Sequence, residues 1–171
     1  MLEDLTTAFS ADVGIEAILA RLASAAVLGL VIGLDREFRQ VPAGLRTHML
    51  VSLAAATFAL LAFEIVERAK HEGVTNTDPV RMIEAVTAGV AFLAAGSIIR
   101  GGRRVHGLTT GAAMWLAGAI GLACGVGAYS IAVVATVFGV AILTVIRLGE
   151  RAASLKSGTR AEGFNRPPDK D

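Results

Sequence analysis

The sequence predicts an all-α, polytopic membrane protein, a bundle of about five transmembrane helices. Three observations lead there. Apolar residues make up 54% of the 171 positions and charged residues only 18%, against about 25% charged in an ordinary soluble domain. Mean hydropathy is +0.62. From Gly107 to Ile146 no Lys, Arg, Asp or Glu occurs. As one helix that run would measure about 60 Å at about 1.5 Å per residue, twice the roughly 30 Å of a bilayer core. It is therefore read as two spans.

The elements follow in chain order. The first span runs from Ala17 to Leu34 and is interrupted by Arg21. The second runs from Thr47 to Val66 with Glu64 near its end, and Thr47 is placed to N-cap it. The third runs from Val80 to Ile99 with Arg81 and Glu84 in its first turns. The fourth and fifth divide the uncharged run at the cluster Gly121, Gly125 and Gly127, since glycine disfavours a helix interior by about 1 kcal/mol. This organises the chain as an N-terminal segment 1–16, a transmembrane domain 17–146 and a charged tail 147–171. The tail is expected to be a juxtamembrane helix fraying into disorder.

Lys and Arg set the orientation. Arg36, Arg39 and Arg46 join spans one and two, Arg100, Arg103 and Arg104 join spans three and four, and six more follow span five. Against these twelve, the other side carries only Arg68, Lys70 and Arg81. The expected topology is N-terminus outside and C-terminus in the cytoplasm. The acidic first sixteen residues do not resemble the basic start of a secretory leader.

Composition also narrows function. One cysteine, Cys124, excludes an internal disulfide framework and a Cys-based zinc site. A net charge of +1 is no footprint of a nucleic-acid binder. There is no GxSxG, no HExxH, no GxxxxGK[ST] and no GxGxxG. His48, His71 and His106 are scattered near membrane edges. No enzyme activity, cofactor or metal site is expected.

Two groups of residues remain as candidates. Arg21, Glu64 and Glu84 form an intramembrane polar set near the outer ends of their spans. Charge at a span centre costs about 2.5–3.5 kcal/mol, so Arg21 is expected to pair with Glu64 or Glu84. That set is either a structural ion pair or a proton or cation site. On the cytoplasmic side, Asp35, Arg36, Glu37, Arg46, Thr47 and His48 are expected to fold together with Arg100 and the helix start at Thr109 and Thr110. In that network Asp35 and Glu37 would pair with arginines from both loops, and removing Arg46 would lower protein abundance. Its arginines would meet either anionic lipid or an acidic partner segment. The GxxxG pairs at Gly29 and Gly33, Gly107 and Gly111, and Gly121 and Gly125 let helices approach closely, within the chain or between two copies.

The run Gly33-Leu34-Asp35-Arg36-Glu37, then Pro42-Ala43-Gly44-Leu45-Arg46-Thr47-His48, resembles the signature of the MgtC/SapB family of bacterial inner-membrane proteins. So do Phe92-Leu93-Ala94-Ala95-Gly96, Gly107-Leu108-Thr109-Thr110 and Trp115. The resemblance covers about residues 15 to 146. Departures are mild: the family usually has Glu at position 35, Gly at 94 and Ala at 111. Its best-known members carry an ACT-like cytoplasmic domain after the spans, for which the 25 residues after Ile146 are too few. The resemblance implies roles in low-magnesium survival and virulence, and inhibition of the F-type ATP synthase through its membrane subunit.

Two functions stay open: a membrane regulator that binds another membrane complex, and a transporter or channel for Mg²⁺, protons or another small ion. A continuous polar route through the bundle would favour transport; a dry core would favour regulation.

Overall fold

The computed structural model describes residues 13–73, 78–101 and 104–162, with the side chains of 79, 100, 101, 104 and 146–162 outside that description. Five helices are present among the described residues: α1 (Ile15–Glu37), α2 (Leu45–His71), α3 (Pro79–Gly96), α4 (Leu108–Gly125) and α5 (Tyr129–Glu162). Between α3 and α4 lies a small antiparallel hairpin, β1 (Ile99–Gly101) with β2 (Arg104–His106), so the helix ends at Gly96, short of the Ile99 that the sequence predicts. Helices α1, α2 and α4 are long and apolar enough to cross a membrane. A shorter apolar segment, Tyr129–Val145, forms the first part of α5. That helix continues without a break into the charged tail as far as Glu162.

The boundaries have local causes. Asp78 caps α3 by accepting the Val80 amide at 2.9 Å, and Pro79 stands at the first helical position, where no intrahelical partner for its nitrogen is needed. Helix α4 ends as the glycine cluster predicts. Gly127 takes φ +82°, its amide reaches the Cys124 carbonyl, and the Ala128 amide reaches Ala123 at 2.8 Å. Those two bonds form a Schellman end, which needs a left-handed residue at Gly127.

Helix α4 is the centre of the bundle and packs against the other four helices. Eleven of its eighteen residues are buried, and most of them are Gly or Ala. Small side chains let its backbone come close to its neighbours, so dispersion and shape, rather than bulk, hold it. A Cβ at Gly121 would fall 2.0 Å from the Ser52 carbonyl oxygen of α2, and one at Gly125 2.6 Å from the Ala56 carbonyl oxygen. On α1, Gly29 and Gly33 meet α2 in the same way, at His48 and Leu45. Those two GxxxG pairs are therefore consumed by contacts within the chain.

The core is dry. One apolar cluster includes Ala25, Ile32, Ala56, Ile120, Cys124 and Ala132, and a second joins Val51, Val90, Ala94, Met114 and Ala117. Large apolar side chains such as Phe58, Phe92, Ile131, Val137 and Phe138 face outward. That apolar exterior suits hydrocarbon rather than water.

Candidate functional site

The arginine-rich end of the bundle gathers the last turn of α1, the first turn of α2, the hairpin and the start of α4. Its geometry begins with Arg36. This side chain is 97% buried by exposure (3% exposed), and its Nη2 donates to Thr110 Oγ1 of α4 at 2.7 Å. One helical turn on, Arg39 pairs with Asp35, Nε to Oδ2 at 2.9 Å, and also donates to the Leu143 carbonyl of α5. Arg39 thus ties α1 to α5, a role the sequence reading did not assign. The i,i+4 spacing of Asp35 and Arg39 was the available signal.

Glu37 turns the other way. Its Oε2 accepts the Leu45 amide at 3.0 Å, the first N–H of α2. A carboxylate at that position satisfies an orphan donor and meets the positive end of the helix. This corrects one expectation. Thr47 is not the N-cap: Gly44 holds that position without a side chain, and Thr47 is the third helical residue, half-buried. Asp35 pairs with Arg39 of the first loop and Glu37 takes a backbone amide, while the side chains of Arg100, Arg103 and Arg104 of the second loop lie outside the described residues. Arg46 is exposed, with no hydrogen bond or ion pair among the described residues.

His48 is fully buried against α1, with Nδ1 2.9 Å from the Gly44 carbonyl oxygen. One helical turn further on, Ser52 donates to the Ala25 carbonyl of α1 at 2.7 Å. The sequence reading missed Ser52, since nothing marks one serine in an apolar helix as a junction. Thr109 is exposed and Thr110 buried at the start of α4. Arg100 lies in β1, and its side chain, like Arg103, lies outside the described residues.

Around this end is a cavity of about 490 Å³. Arg36, Arg39, Ser97, His106 and the first turn of α4 line it, together with aliphatic side chains.

At the opposite end the polar set does not converge. Arg21 donates through Nη1 to the Gly125 carbonyl at 2.9 Å, and among the described residues it pairs with neither Glu64 nor Glu84. The physical reason is that the C-terminus of α4 already offers unsatisfied carbonyls and a partial negative charge to a cation at that depth. Glu64 accepts the Val13 amide at 3.1 Å. Glu84 is exposed on α3. Two apolar grooves of about 120 and 290 Å³ run between α3 and its neighbours, lined by residues such as Phe58, Phe63, Val86 and Leu122. Among the described residues no cluster of three or more His, Cys, Asp or Glu side chains could hold a metal ion.

An apolar, small-residue bundle with three membrane-length helices and its charges held at the two ends defines a multi-span α-helical membrane protein. The profile of the MgtC family matches residues 22–152, and the chain belongs to that family. It is 40% identical over 128 residues to Protein MgtC of Brucella abortus, covering 75% of this chain and 50% of that protein. It is 39% identical over 117 residues to Protein MgtC of Salmonella typhimurium, covering 68% and 46%. An uncharacterized protein of Haemophilus influenzae is 34% identical over 163 residues, covering 94% of this chain and 68% of its own. The chain spans about half the length of the MgtC proteins it matches. No solved structure matches it.

Proposed function

We propose that this protein is a regulator in the bacterial inner membrane that acts by docking α3 on another membrane complex, with its N-terminus outside and its C-terminus cytoplasmic. The observation that supports this reading is Glu84. It is exposed on α3 beside Ala85, Ala88 and Gly89, and one helix face further carries the exposed Phe92. An ionisable side chain facing away from the bundle at membrane depth is costly without a partner, and the small residues around it would let a foreign helix approach closely. The partner that family resemblance suggests is the membrane subunit of the F-type ATP synthase, with adaptation to low magnesium or virulence as the physiological setting. Surrounding lipid, and a second copy of the chain, are the other candidates for that face.

Transport of Mg²⁺ or protons is the competing reading. It rested on Arg21, Glu64 and Glu84 acting together, yet Arg21 engages a helix end, Glu64 a backbone amide, and Glu84 faces outward. The apolar core clusters also speak for regulation.

The test is a photo-crosslinking residue placed at Ala88 in native membranes, followed by identification of the adduct. A subunit of a membrane complex is expected, captured less by Glu84→Gln. Adducts with lipid alone would sink the docking reading. Proton or Mg²⁺ flux in proteoliposomes that disappears in Glu84→Gln would favour transport instead.

A further inference from the structure

We propose that the cavity at the arginine-rich end binds a phosphate-bearing anion, held by Arg36 and the first turn of α4. This inference is independent of the docking role of α3, which lies on another face.

Arg36 leaves a buried donor unmatched. A guanidinium carries five N–H donors. Arg36 is almost wholly buried, yet its one hydrogen bond runs from Nη2 to Thr110, and its buried Nε has no acceptor among the described residues. The nearby carboxylates are occupied: Asp35 holds Arg39, and Glu37 holds the Leu45 amide. A buried donor without an acceptor is unfavourable. Arg36 lines the open cavity, so an anion entering there would supply the missing acceptors.

The adjoining wall suits an anion too. Helix α4 begins in the cavity at Gly107, Leu108, Thr109 and Thr110, and no side chain caps it. Its first-turn amides and positive dipole end therefore face the space that Arg36 faces. Gly107 makes this close fit possible. It has φ +88°, and a Cβ there would fall 2.0 Å from the Ser97 carbonyl oxygen. Among the described residues no acidic one lines the cavity, and Ser97 and Thr109 add hydroxyls.

The remaining wall is aliphatic, with Ile99, Val105, Leu108 and Leu143. At about 490 Å³ the cavity is in the range of ligand pockets. An anion joined to an apolar body would use both kinds of wall. A phospholipid headgroup and a free phosphate share the recognised chemistry, and the experiment separates them.

The full chain, purified in a neutral detergent, is titrated calorimetrically with short-chain phosphatidylglycerol and with inorganic phosphate. Sodium chloride at matched ionic strength serves as the reference. Saturable binding of either probe above the chloride reference is expected: the lipid alone identifies a headgroup site, and inorganic phosphate a site for the free ion. Arg36→Met should weaken binding about tenfold or more. Should that variant fail to fold, Thr109→Asp replaces it. Aspartate in the first turn suits a helix start, and its charge at the cavity mouth should oppose the anion by a similar factor. Absence of binding by both probes, or unchanged affinity in the folded variants, overturns the proposal.

Discussion

Arg36 and Thr110 are 74 positions apart in sequence, and their side chains meet at 2.7 Å inside the bundle. That bond joins the last turn of α1 to the first turn of α4. Thr110→Val keeps the volume and removes the acceptor, leaving a buried cation with one more unmet donor. The expected cost is about 1.5–3 kcal/mol, the range for hydrogen bonds to charged groups. Thermal unfolding of the purified protein in detergent measures it, and a midpoint equal to wild type would show the bond to be dispensable.

Close approach at Gly121 makes a second prediction. Its Cβ site lies 2.0 Å from the Ser52 carbonyl oxygen, whereas nothing lies within 4 Å of the Cβ site at Gly89. Gly121→Ala should destabilise by about 1–3 kcal/mol through overpacking. Gly89→Ala should be neutral or stabilising by up to about 1 kcal/mol, since alanine favours the helix. Comparing the two unfolding midpoints checks the packing, and equal midpoints would contradict it.

Arg21 should matter as a cap of α4. Arg21→Met removes the donor to the Gly125 carbonyl and should cost about 1–2 kcal/mol, in the range of a partly buried cation at a helix C-terminus. Glu84→Gln, at an exposed position, should leave the midpoint unchanged. The opposite ranking of these two variants would restore the idea of an ion pair between them.

Arg46 provides the contrast. It is exposed and unpartnered among the described residues, so Arg46→Ala should shift stability by no more than about 0.5 kcal/mol. Quantified abundance in membranes tests this. A clear fall would mean that Arg46 has a partner outside the chain.

Reporter fusions placed after Arg104 and after Arg151 should both report cytoplasm, as the excess of arginines on that side requires. An external signal at either position would reverse the orientation.

Much of the architecture could be read from the sequence alone, because membrane helices are written in composition. Each must satisfy its own backbone within hydrocarbon, so an uncharged run of forty residues states both a helix and its division in two. The break at Gly127 was legible for the same kind of reason, since a left-handed turn residue announces itself as glycine. The residues of the arginine-rich end were also legible as a group. Their partners were not. Whether Arg21 met Glu64 or a helix end, and whether Glu37 met an arginine or the Leu45 amide, depended on how the helices rotate about their axes. Backbone carbonyls and amides, which took several of these side chains, are present at every position and leave no mark in the sequence. Small residues set that rotation: Gly29 and Gly33, with Gly121 and Gly125, decide which faces touch. The cavity beside Arg36 exists only once α1, α3, α4 and α5 are assembled around it, so only the tertiary structure could place an unmatched buried donor beside an uncapped helix start.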